Sequence, residues 1–474
     1  MNKQPTEHKY LKIAKNIEVH INTEVLKIGD KLPSVRIMQK EHGVSVSTIL
    51  QAYYHLESKG LIEARPQSGY FVSFSPKAFA AEPVKSQPEN EAKGQTAEEM
   101  IAEVYNDISN EKNINLSLNI PSPELLPVSK LNKAMVEAMR KLPAGGTSYE
   151  NIQGNMNLRR QIAKRSIIWN GNLTSEDIIT TTGCMNAVAL SLMAVTERGD
   201  TIAVESPCYF GILQLASNLG LKIIELSTHP QTGIDIDGLK KVFTNHKIRT
   251  IVLMSNYNNP MGCCIPEANK IEIVRLIQYY GIALIEDDIY GDVYFSESRP
   301  KNCKSFDESG LVLWCSSVSK TLAPGYRVGW VAPGKYTEKI KRMKLYFEVS
   351  SATLQQEAIA IFLENGRYEH HLRKLRNTLH SNSLQYMRAV SEFFPSGTRV
   401  SRPQGGFLLW VEFDKSINTY DLYKKAIKHN ISVAPGRMFT INDQYKNCMR
   451  LSYGMTWNRK IENSLKLIGK LASE

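Results

Sequence analysis

Lys320 stands in the stretch SSVSKTLAPGYR (316–327), directly after the apolar run 311–316, so its amine would project from a strand end. An amine there can form a Schiff base with an aldehyde, and Arg327, seven residues on, can hold a phosphate with a bidentate fork. Asp287 and Tyr290 in IEDDIY (285–290) end another apolar run and can serve a protonated ring nitrogen and a ring hydroxyl from one turn. Asn259, in NNPMG (258–262), can bond that hydroxyl from its other side, and Tyr209, in SPCY (206–209), offers a stacking ring. Gly183, Cys184 and Met185 lie between the run 178–181 and a helical pattern, where backbone N–H groups backed by a helix dipole cradle phosphate. A pyridine cofactor bearing an aldehyde and a phosphate makes these demands. Each residue alone has a plainer reading: Lys320 a surface lysine, Asp287 a helix cap, Asn259-Pro260 a turn, Tyr209 a core aromatic. Their occurrence together, each at a strand end, favours the cofactor.

The elements that must position them are apolar runs at 178–181, 202–205, 222–226, 250–254, 282–286, 311–316 and 328–331, separated by helix-length segments. Continuous apolar runs are buried on both faces, which predicts a mainly parallel sheet covered by helices. Beyond Arg342, long helical patterns precede the runs 406–412 and 449–453, predicting a smaller α+β subdomain at the C-terminal end.

Residues 1–74 have a different pattern. Leu11, Ala14, Ile17, Ile21 and Val25 recur at helical spacing and predict one helix ending near Gly29-Asp30. A second helix is expected to start at Pro33-Ser34 and run to His42, with Gly43 in the left-handed turn; Ser45 then caps a third, whose Ile49, Tyr53 and Leu56 face the core. Ser47, Thr48 and Gln51 are left outward near its N-terminus, where hydroxyls and free N–H groups suit phosphates and base edges. Short strands at 61–64 and 70–73 flank RPQSG (65–69), a hairpin whose Arg65 could enter a minor groove. The plainer alternative is a small helical domain with a solvated polar face.

The 474 residues are 42% hydrophobic and 22% charged, which excludes a single small module and a disordered chain. The net charge of +11 is spread along the chain, with ten basic and seven acidic residues in 1–74, so charge alone does not establish nucleic-acid binding. Seven cysteines without paired metal spacing point to a reducing cytoplasm and no metal site, and no stretch is expected to span a membrane or direct export. The segment 75–96, rich in Pro, Ser, Gln, Glu and Lys, is expected to be a surface linker between residues 1–74 and 97–474.

Residues 7–73 resemble the winged helix-turn-helix of GntR-type regulators, through KLPSVR (31–36), HGVSVST (42–48) and ARPQSGYFV (64–72). The resemblance implies that Arg36, Ser45, Ser47, Thr48, Arg65 and Gly69 lie at positions used on double-stranded DNA, and Val46 stands where some members carry Arg. From about residue 115 onward the chain resembles the fold-type I, aspartate-aminotransferase-like pyridoxal phosphate enzymes, most clearly in SVSKTLAPGYRVGW (317–330). That implies Lys320 as the cofactor-bonding and proton-moving lysine, Asp287 on the pyridine nitrogen, Tyr290 and Asn259 on the phenolic oxygen, and Tyr209 against the ring. It also implies Ser317 and Arg327 on the phosphate, Tyr149 reaching a neighbouring subunit's phosphate, and Arg450 gripping an α-carboxylate. Cys184-Met185 departs from the small residues often found in that family's phosphate loop.

Joined by a linker, the two modules resemble MocR-type proteins of the GntR superfamily. The resemblance implies a cytoplasmic, homodimeric transcriptional regulator that binds DNA and senses pyridoxal phosphate or its adduct with an amino compound. The alternative is a working aminotransferase carrying a DNA-binding module. There Arg450 holds the substrate carboxylate, Asp287 keeps the ring nitrogen protonated, and the freed Lys320 moves the Cα proton.

Overall fold

A computed structural model describes residues 9–65, 68–73, 79–88, 97–108, 110 and 112–474. At the N-terminal end, α1 (Lys9–Asn22), α2 (Val35–His42) and α3 (Val46–Ser58) precede an antiparallel hairpin of β1 (Ile62–Arg65) and β2 (Gly69–Val72). Ile17, Ile21, Ile49, Tyr53 and Leu56 close a small core around Leu32 and Val72. Ser34 caps α2, Gly43 ends it in the left-handed conformation at φ 59°, and Ser45 caps α3 by accepting from Thr48 N–H at 3.2 Å. This is the expected winged helix-turn-helix, with two differences of boundary. Helix α1 stops at Asn22 because Glu24 takes a positive φ of 62°, so Val25, expected on the helix, is 66% exposed beyond it. Each wing strand is displaced by one residue, and the wing tip Pro66-Gln67 lies outside the described residues. Removing the α3 cap with Ser45→Ala is expected to destabilise this module by about 1 kcal/mol, read as a lowered melting midpoint.

The remainder carries fourteen strands among the described residues. They are β3 (Ile114–Asn115), β4 (Ile179–Thr181), β5 (Thr201–Ser206), β6 (Lys222–His229), β7 (Gly233–Ile234), β8 (Ile248–Leu253), β9 (Ala283–Asp287), β10 (Val312–Ser317), β11 (Gly329–Ala332), β12 (Arg399–Val400), β13 (Leu408–Glu412), β14 (Ile431–Ser432), β15 (Ala434–Pro435) and β16 (Cys448–Ser452). Eight form one sheet in the order β4-β11-β10-β9-β8-β5-β6-β7. The five neighbours from β10 to β6 are parallel, β7 and β11 are antiparallel, and β4 pairs antiparallel with β11. Two antiparallel steps restore direction, so β4, β5, β8, β9 and β10 all end at one edge. All seven apolar runs become strands of this sheet, because their residues are covered on both faces by helices, among them Cys184–Val195 and Glu267–Tyr280. The small two-residue β7 had no such run to announce it.

A second sheet, β12-β13-β16-β15, packs with the helices Arg367–Phe393, Thr419–Ile427 and Arg459–Ser473 into the expected α+β subdomain. Ahead of it α4 (Glu98–Ile108) and β3 lie against this subdomain, β3 pairing in parallel with β14. Residues 79–88, within the expected surface linker, have no regular secondary structure and are bonded to the rest of the protein, with Pro83 and Ser86 buried. The flanking 74–78 and 89–96 lie outside the described residues. No described helix is long and apolar enough to cross a membrane.

Candidate functional site

The shared strand edge gathers the residues that sequence spacing singled out. Asp287 is the last residue of β9, Lys320 lies three beyond β10, Tyr209 three beyond β5, Asn259 six beyond β8, and Gly183 two beyond β4. Around them is a cleft, partly open to solvent, whose walls include Cys184, Met185, Tyr209, Asn259, Asp287, Tyr290, Lys320 and Arg327. Asn119, Met254, Ile289 and Ser319 complete it and were not expected from sequence.

Lys320 donates to the backbone carbonyl of Asn119, and Asn119 Oδ1 accepts from the Tyr290 hydroxyl at 2.5 Å. Burial, then Arg450, pushes the Lys320 amine down to about 7, so it is largely neutral at slightly alkaline pH and able to attack a carbonyl. Burial raises Asp287 to about 6 against the opposing bonds from Cys184 Sγ and the Ile289 N–H, both at 3.2 Å. A buried carboxyl held short of full ionisation gains most from a cationic partner, which a protonated ring nitrogen supplies.

The end of the cleft suited to a phosphate is built from backbone and one guanidinium. Gly183 caps the helix Cys184–Val195 at φ 85°, and that first turn leaves N–H groups without helical partners. Arg327 donates to Ser319 Oγ at 3.4 Å and to the Thr182 carbonyl at 3.3 Å. Ser317 stands one step behind, its Oγ accepting from Ser319 N–H at 3.2 Å, while Ser319 faces the cleft. A Cβ on Gly183 would collide with Arg327 Nη2, so the cup has room for an anion only while position 183 lacks a side chain. Gly183→Ala is therefore expected to weaken pyridoxal phosphate binding by about tenfold or more while leaving pyridoxal, which has no phosphate, little changed, as measured by titration of the two.

Arg450, on β16, lies behind the cleft wall and reaches its Asn259 from the second sheet. Its Nη1 donates to Asn259 Oδ1 at 3.0 Å, Nη2 donates to the Ser117 carbonyl, and Nε is buried without a partner among the described residues. Its guanidinium lies 5.0 Å from the Phe439 ring, and burial lowers its pKa. A buried guanidinium with no carboxylate on it has the charge and donors to take one. Tyr209 shares a hydroxyl bond with Tyr105 of α4, and its ring lies 4.6 Å from that of Phe210. Tyr149 is the residue the fold does not bring in: it is 88% exposed on the loop before Gly154. Asn119 and Tyr105 escaped sequence reading because neither follows an apolar run; the one local sign was an asparagine ahead of Ile120-Pro121.

On the winged helix, Arg36, Ser45, Ser47, Arg65 and Gly69 are exposed and Thr48 is half-buried. Ser45 Oγ lies 2.7 Å from Ser47 Oγ and 2.8 Å from Thr48 Oγ1, a hydroxyl cluster on the first turn of α3. Arg65 pairs with Glu63 at 2.8 Å and stacks at 4.4 Å on Phe71, which holds the guanidinium extended beside the wing. Gly69, at φ 101°, makes the turn possible.

Residues 9–72 match the family model for bacterial regulatory proteins of the gntR family, and residues 111–465 match that for aminotransferases of class I and II. The chain belongs to the MocR-type branch of the GntR regulators. Across 98% of both chains this MocR-type protein is 36% identical to the uncharacterized HTH-type transcriptional regulator YjiR of Escherichia coli. It is 33% identical to YdcR of the same organism, over 98% of this chain and 99% of that one. The solved structure of LysN, an α-aminoadipate aminotransferase from Thermus thermophilus complexed with N-(5'-phosphopyridoxyl)-L-leucine, shares its fold at a TM-score of 0.72. That match has 22% identity and covers 80% of this chain and 98% of that one. The cofactor of the aminotransferase family is pyridoxal phosphate, and the cup at Gly183, the buried Asp287 and the neutral-leaning Lys320 fit it.

Proposed function

We propose that this MocR-type protein is a DNA-binding transcriptional regulator whose aminotransferase-like domain holds pyridoxal phosphate and senses an amino compound. The observation that carries the reading is the presence, on one chain, of a hydroxyl-tipped recognition helix and a cleft beside which the buried Arg450 has no carboxylate partner among the described residues and an unpartnered Nε. Bound in the cleft, pyridoxal phosphate supplies an electron-withdrawing ring to which an amino compound can be joined. Lys320 holds the cofactor, Asp287 holds the proton on the ring nitrogen, and Tyr290 and Asn259 hold the ring hydroxyl. Tyr209 covers one ring face, and Arg327 with the amides of Gly183, Cys184 and Met185 binds the phosphate, with Ser317 and Ser319 beside it. Arg450 exchanges the Ser117 carbonyl for the carboxylate of the incoming amino acid.

The functional unit in this reading is a homodimer. Tyr149, Tyr346, Phe347 and Val349 are each more than half exposed, an apolar set suited to a second copy. The reading also places the protein in the cytoplasm, in keeping with its seven free cysteines, and divides the chain at residues 74 and 97.

Arg450→Ala is expected to lower the affinity of the loaded protein for amino acids by about 2–3 kcal/mol, roughly 30- to 150-fold, and to leave amines without a carboxylate unaffected. Absorption spectra of the loaded protein with a panel of amino acids and amines check this. Formation of a 2-oxo acid over repeated turnovers, with a second 2-oxo acid supplied to take the amino group, would establish an enzyme instead.

A further inference from the structure

The linker between the two modules touches both halves of the ligand-binding part. Phe79 packs between the winged-helix core and the core of the α+β subdomain. Its neighbours bond to that subdomain: Ala80 N–H donates to Ser391 Oγ at 2.8 Å, the Ala81 carbonyl accepts from Val400 N–H at 2.8 Å, and Val84 N–H donates to Glu412 Oε2 at 2.9 Å. One residue later the attachment changes sides. Lys85 pairs with Asp235 at 2.7 Å, and Ser86 joins β6 of the large sheet, donating its N–H to the Thr228 carbonyl at 3.0 Å and accepting the Thr228 N–H on its Oγ at 2.6 Å. Ser86 is buried, and Thr228 and Ser206 are fully so.

From Ser86 the bonded path continues into the cleft. Thr228 Oγ1 accepts from Ser206 N–H at 3.1 Å, and Ser206 is the end of β5, three residues before Tyr209. Tyr445 makes a second strand of the same path, its hydroxyl 2.8 Å from Ser206 Oγ and also bonded to Ser86. Ser86, Thr228 and Ser206 on this route are buried, and in such a low-dielectric setting a hydrogen bond that shifts must be remade or left at full desolvation cost. A change in the seat of Tyr209 can therefore pass to Ser86, and a change in the placement of the α+β subdomain against the large sheet falls on the stretch from Val84 to Ser86.

We propose that residues 79–86 are a strap that carries the state of the cofactor cleft to the DNA-reading module, with Ser86 as a positioning residue for Tyr209. The inference rests on the cofactor reading above. It requires that occupancy of the cleft alter the strap and that Ser86 transmit the change; the two-state element is the strap itself, docked on both sheets or released from one.

Amide hydrogen exchange of the full chain tests it, with pyridoxal phosphate as the probe and visible absorption recorded on the same samples. Adding the cofactor to stripped wild-type protein is expected to change exchange over residues 79–88 by about three- to tenfold, the scale of one hydrogen bond. Ser86→Ala is expected to gain the cofactor colour yet lose that response and to exchange faster at 206–209, while Ser86→Thr, which keeps the hydroxyl, restores both. An unchanged strap in coloured wild-type protein, or a wild-type response in Ser86→Ala, overturns the proposal. Absence of colour in the wild type instead removes the cofactor reading, and the strap with it.

Discussion

Lys320→Ala protein is expected to carry no covalently held cofactor and to show none of the visible absorption of lysine-bound pyridoxal phosphate, while folding normally. Its Nζ bonds to a backbone carbonyl, and burial already disfavours its charge, so truncation removes chemistry without leaving a buried ion unpaired. The same burial predicts a pH dependence. An ordinary lysine amine is protonated until about pH 10.4, whereas Lys320 loses its proton near 7. The rate at which stripped protein captures the aldehyde should thus rise about tenfold per pH unit below that point and level off above it. Stopped-flow absorption across the range measures this, and a rise continuing to about pH 10 would mean an exposed lysine is the one reacting.

Ser47→Glu is the second large effect. Ser47 is exposed on the first turn of α3, within 2.7 Å of the Ser45 hydroxyl. A carboxylate at a helix N-terminus favours the helix, by up to about 1 kcal/mol at an exposed site, so the fold should be as stable or slightly more so. Against a phosphate backbone the same charge is repulsive and worth several kcal/mol, so affinity for the protein's own upstream DNA should fall by roughly 30-fold or more. A stable variant that has lost DNA separates contact from folding. Arg65→Ala should weaken binding less, because its guanidinium must first leave Glu63.

Much of the cofactor cleft was legible in the sequence for a physical reason. Strands of a parallel sheet are covered on both faces, so they read as unbroken apolar runs, and ligand groups sit where those runs stop. Lys320 and Asp287 followed from that rule, and so did Tyr209 and Gly183. Asn119 did not, because it reaches Lys320 across 201 residues from a segment without regular structure, and only the packed fold brings the two together. Tyr105 was hidden likewise, its role being to meet Tyr209 from α4. That the linker is bonded along the protein surface was not legible, because composition does not report the backbone N–H and carbonyl groups that make much of its attachment. Val25 kept helical spacing beyond the true end of α1, where a left-handed Glu24 turns the chain.

Footprinting of the loaded protein across its own upstream region, with and without a panel of amino acids, bears most directly on the regulator reading. Two protected half-sites whose occupancy shifts when a carboxylate-bearing amine is added, and does not shift in Arg450→Ala protein, are the predicted result. A footprint indifferent to every amine, alongside steady formation of 2-oxo acid once an acceptor 2-oxo acid is supplied, would contradict it.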